Sequence, residues 1–505
     1  MTRVVPAIAL LLVLALPLFA QSYDDSITVN VVEVPVYVDR FGVPIAGLTR
    51  DDFELYVDGQ PQSIEYFDVL DTERESPRPE PEEVPDLTRR NLIVLLFDMG
   101  RSSTFGLHRA RKMAVEYVNK SPADVAYAVA VISRTGVRFV VPFTTDRIAV
   151  TRAIGTLSRS KAADPFHVAT LEAERTMWDG DADGIHPLPA FTEAARIMRE
   201  WTLRGPDVED WLLAEDLGGL ARQLAPLSGI KRVVLLSERP GSWDPKYMFD
   251  PGELVREPFR AAGVILDGID MRLPRVPGGV NTHGVDYESG GFLLSPYLYA
   301  VAGATGGTVD ASLRGLQKRN RVTYVLGFRP PSEKKAGTIR VRLKDRALFT
   351  EVRYRQSFNL GEPAPKDDWL FLADTLLNDI PHRSVTLDLD VQGTSVAATI
   401  PGVELLSYPN DTPLVLDVFL YVFDRQQQPA TWNRMRVSVD LDKGREFLSA
   451  NPYTMRQELT LPPGQYTAKA IVRVVGTDKT GFARKDFVIP ESGNGPAPVS
   501  AIPVH

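Results

Sequence analysis

Three carboxylates alternate with small residues in Asp179-Gly180-Asp181-Ala182-Asp183-Gly184-Ile185. Aspartates at alternate positions followed by a turn glycine open a calcium-binding loop, because a hard cation takes several oxygen ligands from one tight bend. Counting from Asp179, the twelfth residue is Ala190 rather than a bidentate glutamate, and Pro187 holds the ninth place. A full EF-hand is excluded, which leaves a partial oxygen cage or an acidic, solvated turn. Asp98 and Glu238 offer a second pair of carboxylates. Their competing uses are proton transfer, helix capping and metal ligation. The six histidines, His108, His167, His186, His283, His382 and His505, show no metal-ligand spacing. There is no nucleophile elbow, P-loop or dinucleotide fingerprint. The glycine pairs 218–219, 278–279 and 290–291 read as turns. With no cysteine present, thiol catalysis, disulfides and thiolate–zinc sites are excluded as well. These residues point to a non-enzymatic protein.

The 505 residues allow about three domains. An apolar fraction of 44% and a charged fraction of 24% are globular values, which rule out global disorder and a coiled-coil rod. The net charge of −8 argues against a nucleic-acid binder. Arg3 precedes the one long apolar run, Val4 to Ala20, and small Ala20 meets Gln21-Ser22. This is the order of a secretory signal covering 1–20, with an uncleaved anchor as the alternative. The chain is therefore expected to be exported, to the periplasm or the cell surface, with no membrane span after signal cleavage.

Along the exported chain, 21–70 carries short alternating strands at 27–37, 53–57 and 64–69, the pattern of a small β-sandwich. Residues 71–89 form a proline-rich, acidic linker. The pattern then changes. Asn91–Phe97 and Ile230–Leu236 are continuously apolar, as strands buried on both faces must be. Helical spacing follows at 104–120, 148–157, 249–262 and 297–304, and strands are expected at 125–133, 137–141 and 264–269. Alternating strands and helices predict a parallel-rich, doubly wound α/β sheet over 90–358, with an insertion at about 159–208. Strands at 322–329, 338–344 and 349–355 should extend its edge or form a small cap. Regular short strands over 366–490 predict a C-terminal β-sandwich, and 491–505 a loose tail. The glycine-rich stretch 273–295 follows a strand end, where loops tend to carry function.

Several blocks occur together in order: Arg90-Asn-Leu-Ile-Val-Leu-Leu-Phe-Asp98, Gly229-Ile-Lys-Arg-Val-Val-Leu-Leu-Ser237, Ala302-Gly-Ala-Thr-Gly-Gly307 and Tyr324-Val-Leu-Gly-Phe-Arg-Pro-Pro331. In these the chain resembles the von Willebrand factor type A domain, and more narrowly a secreted bacterial group termed VWFA-related, over roughly 25–358. The resemblance implies a divalent cation, Mg²⁺, Mn²⁺ or Ca²⁺, held by an Asp-x-Ser-x-Ser loop, a threonine and a third-loop aspartate. Carried across, the metal residues are Asp98, Ser102 and Glu238. Gly100 stands where the middle serine belongs, and Glu238 where an aspartate is usual. Thr170 and Thr192 are the candidates for the second loop.

The expected function is a protein–protein contact or adhesion at the carboxyl ends of the sheet, around Asp98–Ser103, Glu238–Asp244 and the 273–295 loop, with a degenerate metal site. An envelope scaffold acting through its β-sandwich surfaces is the alternative.

Overall fold

The computed structural model describes residues 31–72, 87–100, 102–133, 136–158, 206–238, 251–271, 296–330, 335–345, 347, 349–359, 369–408, 413–477 and 479–490. The signal segment, the Asp179–Asp183 loop, Thr170, Thr192, the 273–295 stretch and the C-terminal tail lie outside them. The fold is mixed α/β with several antiparallel sheets, and strands outnumber helices among the described residues.

A six-stranded sheet forms the middle. Its order is Val309–Asp310, Val264–Asp270, Ile230–Ser237, Asn91–Asp98, Ala126–Ser133, Gly136–Thr144. The first five strands run parallel, and Gly136–Thr144 returns antiparallel from a hairpin. The apolar run at 91–98 is continuous because both of its faces are covered. Leu92, Val94 and Leu96 enter one apolar core, with Leu213, Val255 and Leu298 from the helices Pro206–Leu224, Pro251–Ala261 and Pro296–Thr305. Ile93, Leu95 and Phe97 enter the other, with Leu107, Ile154 and Leu316 from Thr104–Lys120, Arg147–Thr156 and Leu313–Arg319.

Gly218-Gly219, expected as a turn, lies inside the helix Pro206–Leu224. A Cβ on Gly218 would stand 2.5 Å from the Leu254 carbonyl oxygen, so the glycine lets two helices touch backbone to backbone.

The strands at 322–328, 336–343 and 350–354 neither extend this sheet nor stand as a separate cap. Val322–Phe328 pairs with Val32–Arg40 and with Tyr66–Asp71, and Thr350–Tyr354 with the far side of Val32–Arg40. Ala336–Leu343 pairs with Phe53–Val57. The two sheets share a core of Val34, Val36, Leu55, Tyr324 and Val341. This sandwich is fastened to the central sheet by buried charge. Tyr37 lies between the guanidiniums of Arg232 and Arg353, 5.1 and 5.2 Å from its ring centroid. Arg232 also pairs with Asp267.

Beyond 369, strands Asp388–Gln392, Ser395–Ile400 and Tyr453–Glu458 form one antiparallel sheet. Pro429–Val439, Leu414–Asp424, Gly464–Val474 and Thr480–Ile489 form another. Both sheets share one apolar core. A helix, Trp369–Asn378, joins this unit to the central sheet and was not expected. Eight of its ten residues are buried, so it carries no polar stripe for periodicity to reveal. Arg90 holds its Asp374 in a two-pronged pair, both contacts at 2.8 Å.

Candidate functional site

In a sheet of this order, the strands on either side of Asn91–Asp98 leave in opposite senses, toward 126–133 on one side and 230–237 on the other. Side chains beyond the carboxyl ends at such a point face a crevice. Asp98 and Ser237 end these neighbouring strands. Both are buried, and the Ser237 hydroxyl donates to Asp98 Oδ2 at 2.6 Å. Ser102 is also buried, and its Oγ accepts from the Glu238 amide at 3.4 Å. Asp98, Ser102 and Glu238 are thus brought together.

Their roles follow from the helix Thr104–Lys120. Asp98 does not cap it. Ser103 does, its Oγ accepting from the Gly106 amide at 3.0 Å. The Ser103 amide donates to Glu238 Oε2 at 2.5 Å, and Arg109 Nη2 lies 3.5 Å from Glu238 Oε1. The carboxylate therefore sits on a helix N-terminus, where the backbone dipole favours negative charge, with a guanidinium on its other side. Gly106 makes the room: a Cβ there would stand 2.2 Å from Glu238 Cδ. Arg109, Gly106 and Ser237 were not anticipated. A glycine one turn into a helix was the only local signal, since glycine there costs up to about 1 kcal/mol relative to alanine.

Gly100 brings no side-chain oxygen, and the Glu238 carboxylate is engaged by the Ser103 amide and by Arg109. Among the described residues, no three His, Cys, Asp or Glu side chains are placed to hold a metal ion. What the arrangement can do is present apolar surface. Arg109 Nε is buried without a hydrogen-bond partner among the described residues, and Phe105, on the same first turn, is 58% exposed. The Arg109 guanidinium lies 5.5 Å from the Phe105 ring centroid.

The strands Ile230–Ser237 and Val264–Asp270 end at this same edge. The helix Arg147–Thr156 rises toward the same edge before 159–205. It runs antiparallel to Thr104–Lys120, for Arg147 donates to the Pro122 carbonyl past the end of that helix, while Arg111 donates to Gly155 at 2.5 Å.

Two titrating groups are perturbed elsewhere. Burial pushes Lys231 down to about 7, and its Nζ donates to the Ala225 and Leu227 carbonyls at 3.2 and 3.0 Å. That is a cap on the end of the preceding helix, at the opposite edge of the sheet. Burial pushes His382 down to about 4, beside Thr375 Oγ1 at 3.1 Å and the Phe371 ring. It belongs to the joint with the C-terminal unit. No described helix is long and apolar enough to cross a membrane.

No family model matches the chain, and no curated protein matches it. Three solved structures resemble parts of it. The conserved hypothetical protein BatB from Bacteroides thetaiotaomicron is 9% identical over 35% of this chain and 66% of that one, with a TM-score of 0.18. Dimeric latent PorU from Porphyromonas gingivalis is 15% identical over 34% of this chain and 14% of that one, with a TM-score of 0.15. The interferon gamma receptor alpha chain of chicken is 10% identical over 31% of this chain and 65% of that one, with a TM-score of 0.16. The chain spans less than two thirds of each of those proteins, and overlaps of this size assign neither fold family nor function.

Proposed function

We propose that the six-stranded sheet is a type A core, and that the protein is exported and binds another protein through the carboxyl edge of that sheet. Export rests on Arg3 and the apolar run 4–20. The binding role rests on one observation above others: Asp98, Ser102 and Glu238 converge at the crevice, with exposed Phe105 and the Arg109 guanidinium against its ring beside them. Aromatic and arginine side chains are the usual anchors of protein contacts. In this reading the edge works without a cation. Glu238 supplies from within the chain the negative charge that the helix N-terminus and Arg109 attract. No step of a chemical reaction is assigned to these residues.

A second reading, an envelope scaffold acting through its β-sandwich surfaces, draws on the edge strand Thr480–Ile489 with Val488 62% exposed. A photo-crosslinking residue placed at position 105, and separately at 488, in the exported protein separates the two. The edge reading predicts a discrete polypeptide adduct from 105 and none from 488. The reverse pattern would replace it with the scaffold.

A further inference from the structure

Phe41 and Phe349 are 75% and 73% exposed, and their ring centroids lie 5.2 Å apart. Both have left-handed backbone, with φ of 53° and 62°. Arg40 pairs with Val43, so Phe41 and Gly42 (φ 73°) hold the two central places of a hairpin turn that favours Asn-Gly or Asp-Gly. The same sandwich meets this demand conventionally at Asp58-Gly59, with φ of 49° and 80°. In the other turn the Thr350 amide donates to the Ala347 carbonyl at 3.2 Å. Phe349 thus takes a third position whose positive φ normally calls for glycine. Two aromatic rings stand at one corner, where a small residue would relax the backbone and expose no apolar surface. Folding explains neither choice.

The shape and charge of the corner indicate what covers it. Three-quarters of two phenylalanine side chains is on the order of 300 Å². That is well below the roughly 800 Å² each partner contributes to a stable protein interface. The surface is a pair of turn tips rather than a groove. Its flank carries mixed charge: Arg40 is exposed with no ion pair among the described residues, the Arg319 guanidinium lies against Gly42 but is shared with Asp310 at 3.8 Å, and Asp345 and Glu351 are exposed close to Phe349. Paired aromatic tips too small for a protein interface, on a flank without net positive charge, match the headgroup layer of a bilayer, where such rings settle at the boundary of acyl chains and water.

We propose that the Phe41/Phe349 tip inserts into the headgroup layer of a phospholipid membrane and tethers the protein there. The tip is separate from the Asp98 edge, so this tether stands or falls independently of the binding reading above. The test is cosedimentation of the full chain with phosphatidylethanolamine vesicles, with and without phosphatidylglycerol. The parent protein should pellet with vesicles, with or without the anionic lipid. Phe41→Asn combined with Phe349→Gly should weaken binding about tenfold or more, while the thermal midpoint holds or rises because both turns relax. Ile148→Asn, which removes a 68% exposed side chain elsewhere, should leave binding unchanged. A parent protein that stays in the supernatant would overturn the proposal, as would a double variant that pellets equally. Phenylalanine-dependent self-association without vesicle binding would also overturn it and assign the tip to a second copy of the chain.

Discussion

Gly106→Ala tests the seat of the Glu238 carboxylate, because its effect should change sign with the residue at 238. Alanine is worth up to about 1 kcal/mol over glycine, the full value applying in a helix interior, and Gly106 is the third residue of its helix. Against this, the new Cβ would stand 2.2 Å from Glu238 Cδ, whereas ordinary contact begins at 3.4 Å. The carboxylate must leave the Ser103 amide, which forfeits a hydrogen bond to a charged group, worth about 1.5–3 kcal/mol. It also forfeits about 0.3–1 kcal/mol of helix-dipole stabilisation. With Glu238 in place, the substitution should therefore cost about 1–3 kcal/mol locally. In a Glu238→Ala background the obstruction is gone, and Gly106→Ala should stabilise by up to about 1 kcal/mol. A protein of several units need not unfold in one step, so a local probe is preferable to a global midpoint. Hydrogen exchange of the 102–110 segment reads the opening free energy where the change is made. Faster exchange in the first background and slower exchange in the second is expected. The same sign in both would refute the seat.

The joint with the C-terminal unit supplies two further predictions, and the helices over the central sheet a third. His382 titrates at about 4 when folded, against 6.5 as its ordinary value. The unfolded chain therefore takes up this proton first: stability is full above pH 6.5 and falls, by up to about 3 kcal/mol, as pH drops toward 4. Denaturant melts across that range should show this slope, and His382→Phe should flatten it. Asp374→Asn breaks the two-pronged pair with Arg90 and leaves a largely buried guanidinium uncompensated. A loss of about 3–5 kcal/mol is expected, read as faster exchange across Trp369–Asn378. Gly218→Ala drives a methyl against the Leu254 carbonyl and should cost about 1–3 kcal/mol of the central sheet's stability by calorimetry, although alanine is the better helix former.

The buried strands were legible because their requirement is local: covered faces on both sides demand unbroken apolar runs, which 91–97 and 230–236 display. The amphipathic helix 104–120 was legible for the same kind of reason. Features set by distant contacts were not. Trp369–Asn378 is apolar all round because other elements enclose it, and its periodicity vanishes with its exposure. The N-terminal strands find partners nearly three hundred residues away, as Val36 pairs with Tyr324, and no local pattern marks such a pairing. At the candidate site, Asp98, Ser102 and Glu238 were expected only through the resemblance to a type A domain, and the fold brings them close together. Arg109, Gly106 and Ser237 were not, because each acts only through a side chain that tertiary folding delivers.

In the proposed reading the Asp98 edge is a contact surface satisfied by its own carboxylate rather than by a cation. Calorimetric titration of metal-stripped protein with Mg²⁺, Mn²⁺ and Ca²⁺, beside Asp98→Ala, addresses this most directly. This reading predicts no heat that depends on Asp98. Stoichiometric binding of any of these ions that disappears in Asp98→Ala would contradict it.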